Sequence, residues 1–414
     1  MSRIVAHYLI ETAFDPQEAA QMMAGEQSVG TFVKVPGETP ERARKYGARV
    51  ESVEILEEVT DPSLPGAKNP QQGPIKRAKV SLSFPLATIG TSLVGLWTAV
   101  AGNLFELSPF SGLKLEGLEL PPDFTGAQLS PQFAIEGTRK LANVYERPII
   151  GTIIKPSVGL SPQETADLVG HLANAGLDFI KDDELQSGSP HSPFEARVKA
   201  VMRVVNTHAD KTDKKVMVAF NVSGEVDDML RRHDLVLAEG GTCIMVNMLA
   251  VGLPAIQALR KHSQLPLHGH RAGWGMFARH PLLGMSYPVF SSFYRLAGVD
   301  HLHVNGLRNK FCEPDASVIR SAKACLTPIN NSPPVMPVFS SGQTAAQAPD
   351  TFAALGSTNL MYLAGGGIMG HPDGPAAGVE SLKEAWQAAL EGIPLTDYAQ
   401  THPALAGALK RFSA

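Results

Sequence analysis

The chain has 414 residues, more than one average domain, so two domains of unequal size are expected. A hydrophobic fraction of 44% and a charged fraction of 18% are ordinary for a globular protein, and a net charge of −4 leaves no basic surplus for nucleic acid or an anionic membrane. The three cysteines, Cys243, Cys312 and Cys325, lack metal-ligand spacing and suit free thiols in a reducing compartment. The N-terminal stretch has no long apolar core or small-residue cleavage site. The longest apolar run, around Leu93 to Phe105, is too short to span a bilayer. A cytoplasmic protein is expected, with neither a membrane nor a nucleic-acid partner.

In chain order, residues 1–138 mix short strands with helices and read as a smaller α+β domain of ferredoxin-like type. Val80, Leu82 and Phe84 alternate with polar neighbours, as in a half-buried strand, and the Pro/Gly-rich run from Asp61 to Pro74 is a loop within this domain. Residues 139–414 are more regular. The apolar runs PIIGTIIKP, LDFIKDDE, KVMVAFNVS, TCIMVNM, PLHGHRA, DHLHVNG, VMPVFSS and NLMYLAGGG alternate with helical segments, which predicts parallel strands joined by crossover helices. The first of these helices is bounded by Ser161, Pro162 and Glu164 at its start and Gly176 at its end. Eight such runs over roughly 250 residues predict a (β/α)8 TIM barrel.

In such a barrel the chemistry sits at the C-terminal strand ends. Most of these runs end there in charged, polar or glycine residues: Lys155, Lys181 to Glu184, His268 to Arg271, His301 to His303, Ser340 and Ser341, and Gly365 to Gly367. Alternation puts Lys181 and Asp183 on one face, with Glu184 where the strand opens into its loop. Converging carboxylates suit a hard divalent cation such as Mg2+. Paired histidines two residues apart, His268 with His270 and His301 with His303, face one way on neighbouring runs, and Arg271 suits capture of phosphate. The glycines after the last two runs would let backbone N–H groups approach a phosphate.

These segments carry a resemblance. GTIIKPSVGLS, GLDFIKDDE, HGHRA, DHLHVNG and AGGGIMGHPDG, in this order, resemble the signature of the RuBisCO large-subunit family, and GEQSVGT and AVAGNLF extend the likeness into the N-terminal domain. The resemblance implies that Lys181 is carbamylated by CO2 and completes a Mg2+ site with Asp183 and Glu184. It implies that Lys155, His270 and His303 bind substrate and move protons, and that Arg271 holds one phosphate. Thr31, Gly342, Gly365 and Gly366 would form another phosphate site, Ser340 would meet a substrate hydroxyl, and Asn103 would bind substrate or its carboxylate. Glu26 and Lys310 resemble a salt-bridged pair whose lysine steadies a carboxylate. The N-terminal domain of one subunit would complete the site of its partner in a homodimer.

The departures narrow the chemistry. Ser157 stands where carboxylating members carry a lysine, Trp274 where a histidine is usual, and Leu363 and Ala364 where bulkier or polar residues precede the glycines. The sixth loop, NGLRNKF, lacks the usual glycine beside its lysine. Carboxylation of ribulose bisphosphate is therefore not expected. The reading favours enediolate chemistry that cleaves a C–C bond of a phosphorylated branched keto sugar acid, such as 3-oxo-isoapionate 4-phosphate, by decarboxylation or by transcarboxylation and hydrolysis. The alternatives are isomerisation of a methylthio-pentulose phosphate, as in methionine salvage, and a catalytically silent homologue.

Overall fold

A computed structural model describes residues 2–31, 33, 35–69 and 73–412. Its strands, numbered β1 to β13 in chain order, fall into two compact units. The first unit comprises Met1–Gln128, Gly273–Leu296 and Ile329–Ser332. Its sheet contains β1 (Arg3–Thr12), β2 (Arg49–Val59), β3 (Ile75–Pro85), β4 (Phe110–Glu119) and β10 (Leu283–Met285), in the order β10-β4-β1-β3-β2. β1 runs antiparallel to both β3 and β4. Alternation along β1 buries Ile4, Ala6, Tyr8 and Ile10, and along β3 it buries Ala78, Val80, Leu82 and Phe84. The helix Pro16–Glu26 starts with Pro16 and is capped by Asp15, whose side chain accepts from the Gln17 and Glu18 N–H groups. β10 lies within 139–414, yet it pairs in parallel with β4. Three residues are too few to show a period.

The second unit holds the closed parallel barrel, in the order β11-β12-β13-β5-β6-β7-β8-β9. These strands are β5 (Ile149–Ile153), β6 (Phe179–Lys181), β7 (Met217–Asn221), β8 (Cys243–Asn247), β9 (Leu267–His270), β11 (His301–His303), β12 (Met336–Phe339) and β13 (Met361–Leu363). Each apolar run of the sequence supplies one of them. Ile149, Phe179, Met217, Met245, Val338 and Leu363 belong to one buried cluster, so the barrel is packed rather than hollow.

Local chemistry sets the connections. Ser161 and Glu164 form a reciprocal capping box on the helix Pro162–Asn174, and Gly176 follows with φ +78°. The helix Ala134–Ala142 has no capping side chain of its own. Asp300 takes that part, accepting from Phe133 N (2.6 Å) and Ala134 N (2.9 Å). Its other oxygen accepts from Leu267 N (2.9 Å) and pairs with Arg260 (3.1 Å), so one buried carboxylate ties this helix to the starts of β9 and β11.

Candidate active site

The ends of β5 and β6 bring four of the sequence-predicted residues together. Lys155 Nζ lies 2.7 Å from Asp183 Oδ2 and 2.8 Å from Ser157 Oγ. Lys181 Nζ lies 3.1 Å from Glu184 Oε2, 2.7 Å from the Asp182 carbonyl and 3.4 Å from Met245 Sδ. The Lys181 and Asp183 side chains are each 1% exposed, whereas those of Glu184 and Lys155 are 34% and 40% exposed, so the open side of the group is set by the latter two. Burial pushes the Lys181 amine below the ordinary lysine range, against the opposing pull of Glu184, Asp183 and Asp182. Asp182 points the other way and is held by Arg197 (3.2 Å) and Asn221 N (3.1 Å).

The histidines continue the cluster. His270 Nε2 is 3.5 Å from Glu184 Oε2, and its ring centroid is 4.6 Å from that of His303. His303 Nδ1 is 3.1 Å from Ser340 Oγ. Burial, then the charges of Lys181 and Arg271, hold His270 well below the ordinary histidine value, so it is neutral at pH 7. Arg271 ion-pairs with Glu313, whose carboxylate also accepts from Asn305 Nδ2 and Ser317 Oγ.

Lys310 sits on the loop after β11, where its N–H donates to Ser341 O (3.0 Å). Gly342, with φ +93°, lies against it, and a Cβ there would come 3.5 Å from Lys310 N. A Cβ on Gly365 would come 3.8 Å from Lys155 Cε, whereas one on Gly366 would meet nothing within 4 Å. The predicted residues of the second unit therefore lie around the C-terminal ends of the barrel strands.

The other predicted residues lie in the first unit. Glu26 ends the helix Pro16–Glu26, and Thr31 and Asn103 are exposed. With its amide oriented to satisfy both ends, Gln27 accepts from Asn103 N (2.9 Å), bringing the end of that helix beside Asn103. Trp274 is buried among Tyr287 and Phe290, so its indole serves packing. Leu363 is part of the barrel core.

Sequence reasoning missed several supports of the site. Asn221 and Asn247 both donate to the Glu184 carbonyl, at 3.1 and 2.9 Å, fixing the loop that carries the carboxylates. Both asparagines end apolar runs, and that was the available signal. Glu313 gave none. Among the described residues, the one His/Cys/Asp/Glu group tight enough to share an ion is His233, Asp234 and His262, on the helices Val226–Ala238 and Met248–His262. There the Gln264 N–H donates to His233 Nε2 (3.2 Å), so Nδ1 carries the ring proton and gives it to Asp234 Oδ1 (2.9 Å). A ligating nitrogen must be bare, so this group is a hydrogen-bond network as it stands.

The barrel, the mixed N-terminal sheet and the lysine–carboxylate cluster define one protein class. Family models of the ribulose bisphosphate carboxylase large chain match twice, the N-terminal domain over residues 1–124 and the catalytic domain over 134–412. The chain belongs to the ribulose bisphosphate carboxylase large-chain family, and within it to the RuBisCO-like proteins. It is 56% identical over 409 residues, 98% of each chain, to a 3-oxo-isoapionate-4-phosphate transcarboxylase/hydrolase of Xanthobacter autotrophicus. A 3-oxo-isoapionate-4-phosphate decarboxylase of Rhizobium rhizogenes is 46% identical over 413 residues, 99% of this chain and 98% of the relative. The crystal structure of a rubisco-like protein from Burkholderia fungorum is 45% identical, with a TM-score of 0.94 over 100% of both chains.

Proposed function

We propose that this protein is a cytoplasmic, Mg2+-dependent enzyme that cleaves a C–C bond of 3-oxo-isoapionate 4-phosphate, and not a ribulose bisphosphate carboxylase. The observation that carries the reading is the 56% identity, over nearly the whole chain, with a transcarboxylase/hydrolase named for that substrate. Because the decarboxylase shares less, 46%, transcarboxylation and hydrolysis is the outcome we assign.

The residues fit a divalent cation. Lys181, whose pKa burial lowers, carries a larger neutral fraction than a free lysine; the neutral amine attacks CO2, loses a proton and becomes an oxygen donor. With Asp183 and Glu184 this gives the all-oxygen set that Mg2+ prefers. Bound there, Mg2+ would supply electrostatic stabilisation of an enediolate. When the C–C bond to the substrate carboxylate breaks, its electron pair moves toward the ketone oxygen and CO2 leaves an enediolate. For transcarboxylation and hydrolysis that CO2 re-forms a C–C bond at the other enediolate carbon, and water adds to the new ketone carbon. The second C–C cleavage then sends its electron pair to the carbon that we assign Lys155 to protonate. His270 and His303 orient the substrate oxygens, Ser340 meets a hydroxyl, and Lys310 steadies the carboxylate. Arg271 takes one phosphate contact, and Thr31, Gly342, Gly365 and Gly366 take the other. Glu26, Thr31 and Asn103 come from the N-terminal domain of a partner subunit in a homodimer.

The test is to incubate the purified protein with 3-oxo-isoapionate 4-phosphate, Mg2+ and bicarbonate and to identify the products by mass and NMR. Two cleaved fragments without free CO2 support the assignment. Release of CO2 alone makes it a decarboxylase, and unchanged substrate with turnover of a methylthio-pentulose phosphate would replace the reading by an isomerase.

A further inference from the structure

A chain of buried groups leads from Ser340 into the barrel. Ser340 Oγ is 3.1 Å from His303 Nδ1, and His303 Nε2 is 2.7 Å from His268 Nε2. His268 Nδ1 is 3.3 Å from His301 Nδ1, and His301 Nε2 is 2.8 Å from Thr138 Oγ1. All three rings are at most 3% exposed, and Phe179 packs against two of them. Burial holds His268 and His303 well below the ordinary value and His301 down to about 3, so the rings are neutral. Each neutral ring has one donor and one acceptor nitrogen, so fixing a proton at either end orders the whole chain.

Thr138 fixes it. Its hydroxyl donates to Ala134 O, one helical turn back and an oxygen that can only accept, which leaves Thr138 Oγ1 as acceptor for His301 Nε2–H. His301 Nδ1 is then bare and accepts from His268 Nδ1–H. His268 Nε2 in turn accepts from His303 Nε2–H, and His303 Nδ1 accepts the Ser340 proton. The other end agrees. Asn305 Nδ2 donates to Glu313, so Asn305 Oδ1 takes the Ser341 proton (2.8 Å), and Ser341 has none for Ser340.

We propose that Thr138 and His301 are positioning residues that act through His268 to hold His303 as its Nε2–H tautomer, leaving Ser340 Oγ as an acceptor for a substrate hydroxyl proton. This rests on reading Ser340 as a substrate contact. The opposite orientation would make Ser340 a donor and select a carbonyl or carboxylate oxygen at the same place.

The test is the imidazole 15N spectrum of the ligand-free full chain labelled at histidine, assigned by the signals lost in single His→Gln variants. It needs no substrate, so it stands or falls apart from the proposed reaction. The expected result is Nε2–H on His303 and His301 and Nδ1–H on His268. Thr138→Ser should keep this pattern, and Thr138→Val, which leaves His301 Nε2–H without its acceptor, should shift His303 toward Nδ1–H. A wild-type spectrum with Nδ1–H on His303 overturns the proposal, as does a His303 signal identical in the wild type and a folded Thr138→Val. If Thr138→Val does not fold, the wild-type spectrum alone decides.

Discussion

A lysine amine attacks CO2 only while unprotonated, and Lys181 is held below its ordinary range by burial. The neutral fraction grows as pH rises through the folded-state pKa. Preincubation with CO2 and Mg2+ should therefore raise activity, and activation should quicken with pH toward a midpoint below the ~10.4 of a free lysine. Lys181→Ala should abolish both activity and CO2 dependence, and full activity in that variant would contradict a carbamate. Lys310 allows a sharper separation. Its backbone is fixed by Ser341, while its amine lies over the Phe311 ring at 5.3 Å, and among the described residues no carboxylate of the barrel unit pairs with it. If it grips the substrate carboxylate as the bond breaks, Lys310→Met should lower cleavage by roughly a hundredfold, the scale of one lost positioned charge. Exchange of an analogue C–H proton with solvent needs only metal and base and should survive. Equal loss of both activities would make Lys310 a structural residue.

At the scale of elements, β9 and β11 carry a stability consequence. The folded pKa of His301 is about 3, below the ~6.5 of an unfolded chain, so below that value the unfolded state binds more protons. Its contribution is complete above about pH 6.5 and is lost as pH falls toward 3; at about pH 5 the loss is ~2 kcal/mol from this ring alone. His268 and His303 are depressed by the same burial and act in the same direction. Urea unfolding at about pH 7.5 and about pH 5 should show that decrease, and an unchanged midpoint would mean that these rings take up protons in the folded state. The same strands show what the sequence could reveal. Each barrel strand is a local apolar run whose polar end faces the chemistry, so Lys181, His270 and Ser340 stood out without a structure. Thr138 did not, because it sits on a helix and meets His301 only once the barrel closes across 163 residues of chain. Nor did Glu313, an unremarkable acid whose meaning comes from Arg271 and Asn305 reaching it from the loops after β9 and β11.

For the whole molecule, the question is which chain completes which site. Lys155, Lys181, Asp183 and Glu184 converge within the barrel unit, whereas Glu26, Thr31 and Asn103 are carried by the N-terminal unit, where Gln27 links the first helix to Asn103. If the N-terminal residues serve a partner's barrel, damage to the two units in different chains must complement. Take Asn103→Ala in one chain and Lys181→Ala in the other, each inactive alone. In a mixed dimer one site collects both lesions and the other collects neither. Random reassociation gives about half mixed dimers, each with one working site of two, so activity should return to about a quarter of wild type. The measurement is activity after the two inactive variants are dissociated, mixed and reassociated, with sedimentation confirming the dimer. No recovery in a reassociated mixture would place Asn103 and Lys181 in sites built from a single chain, and an active monomer would remove the partner from the site altogether.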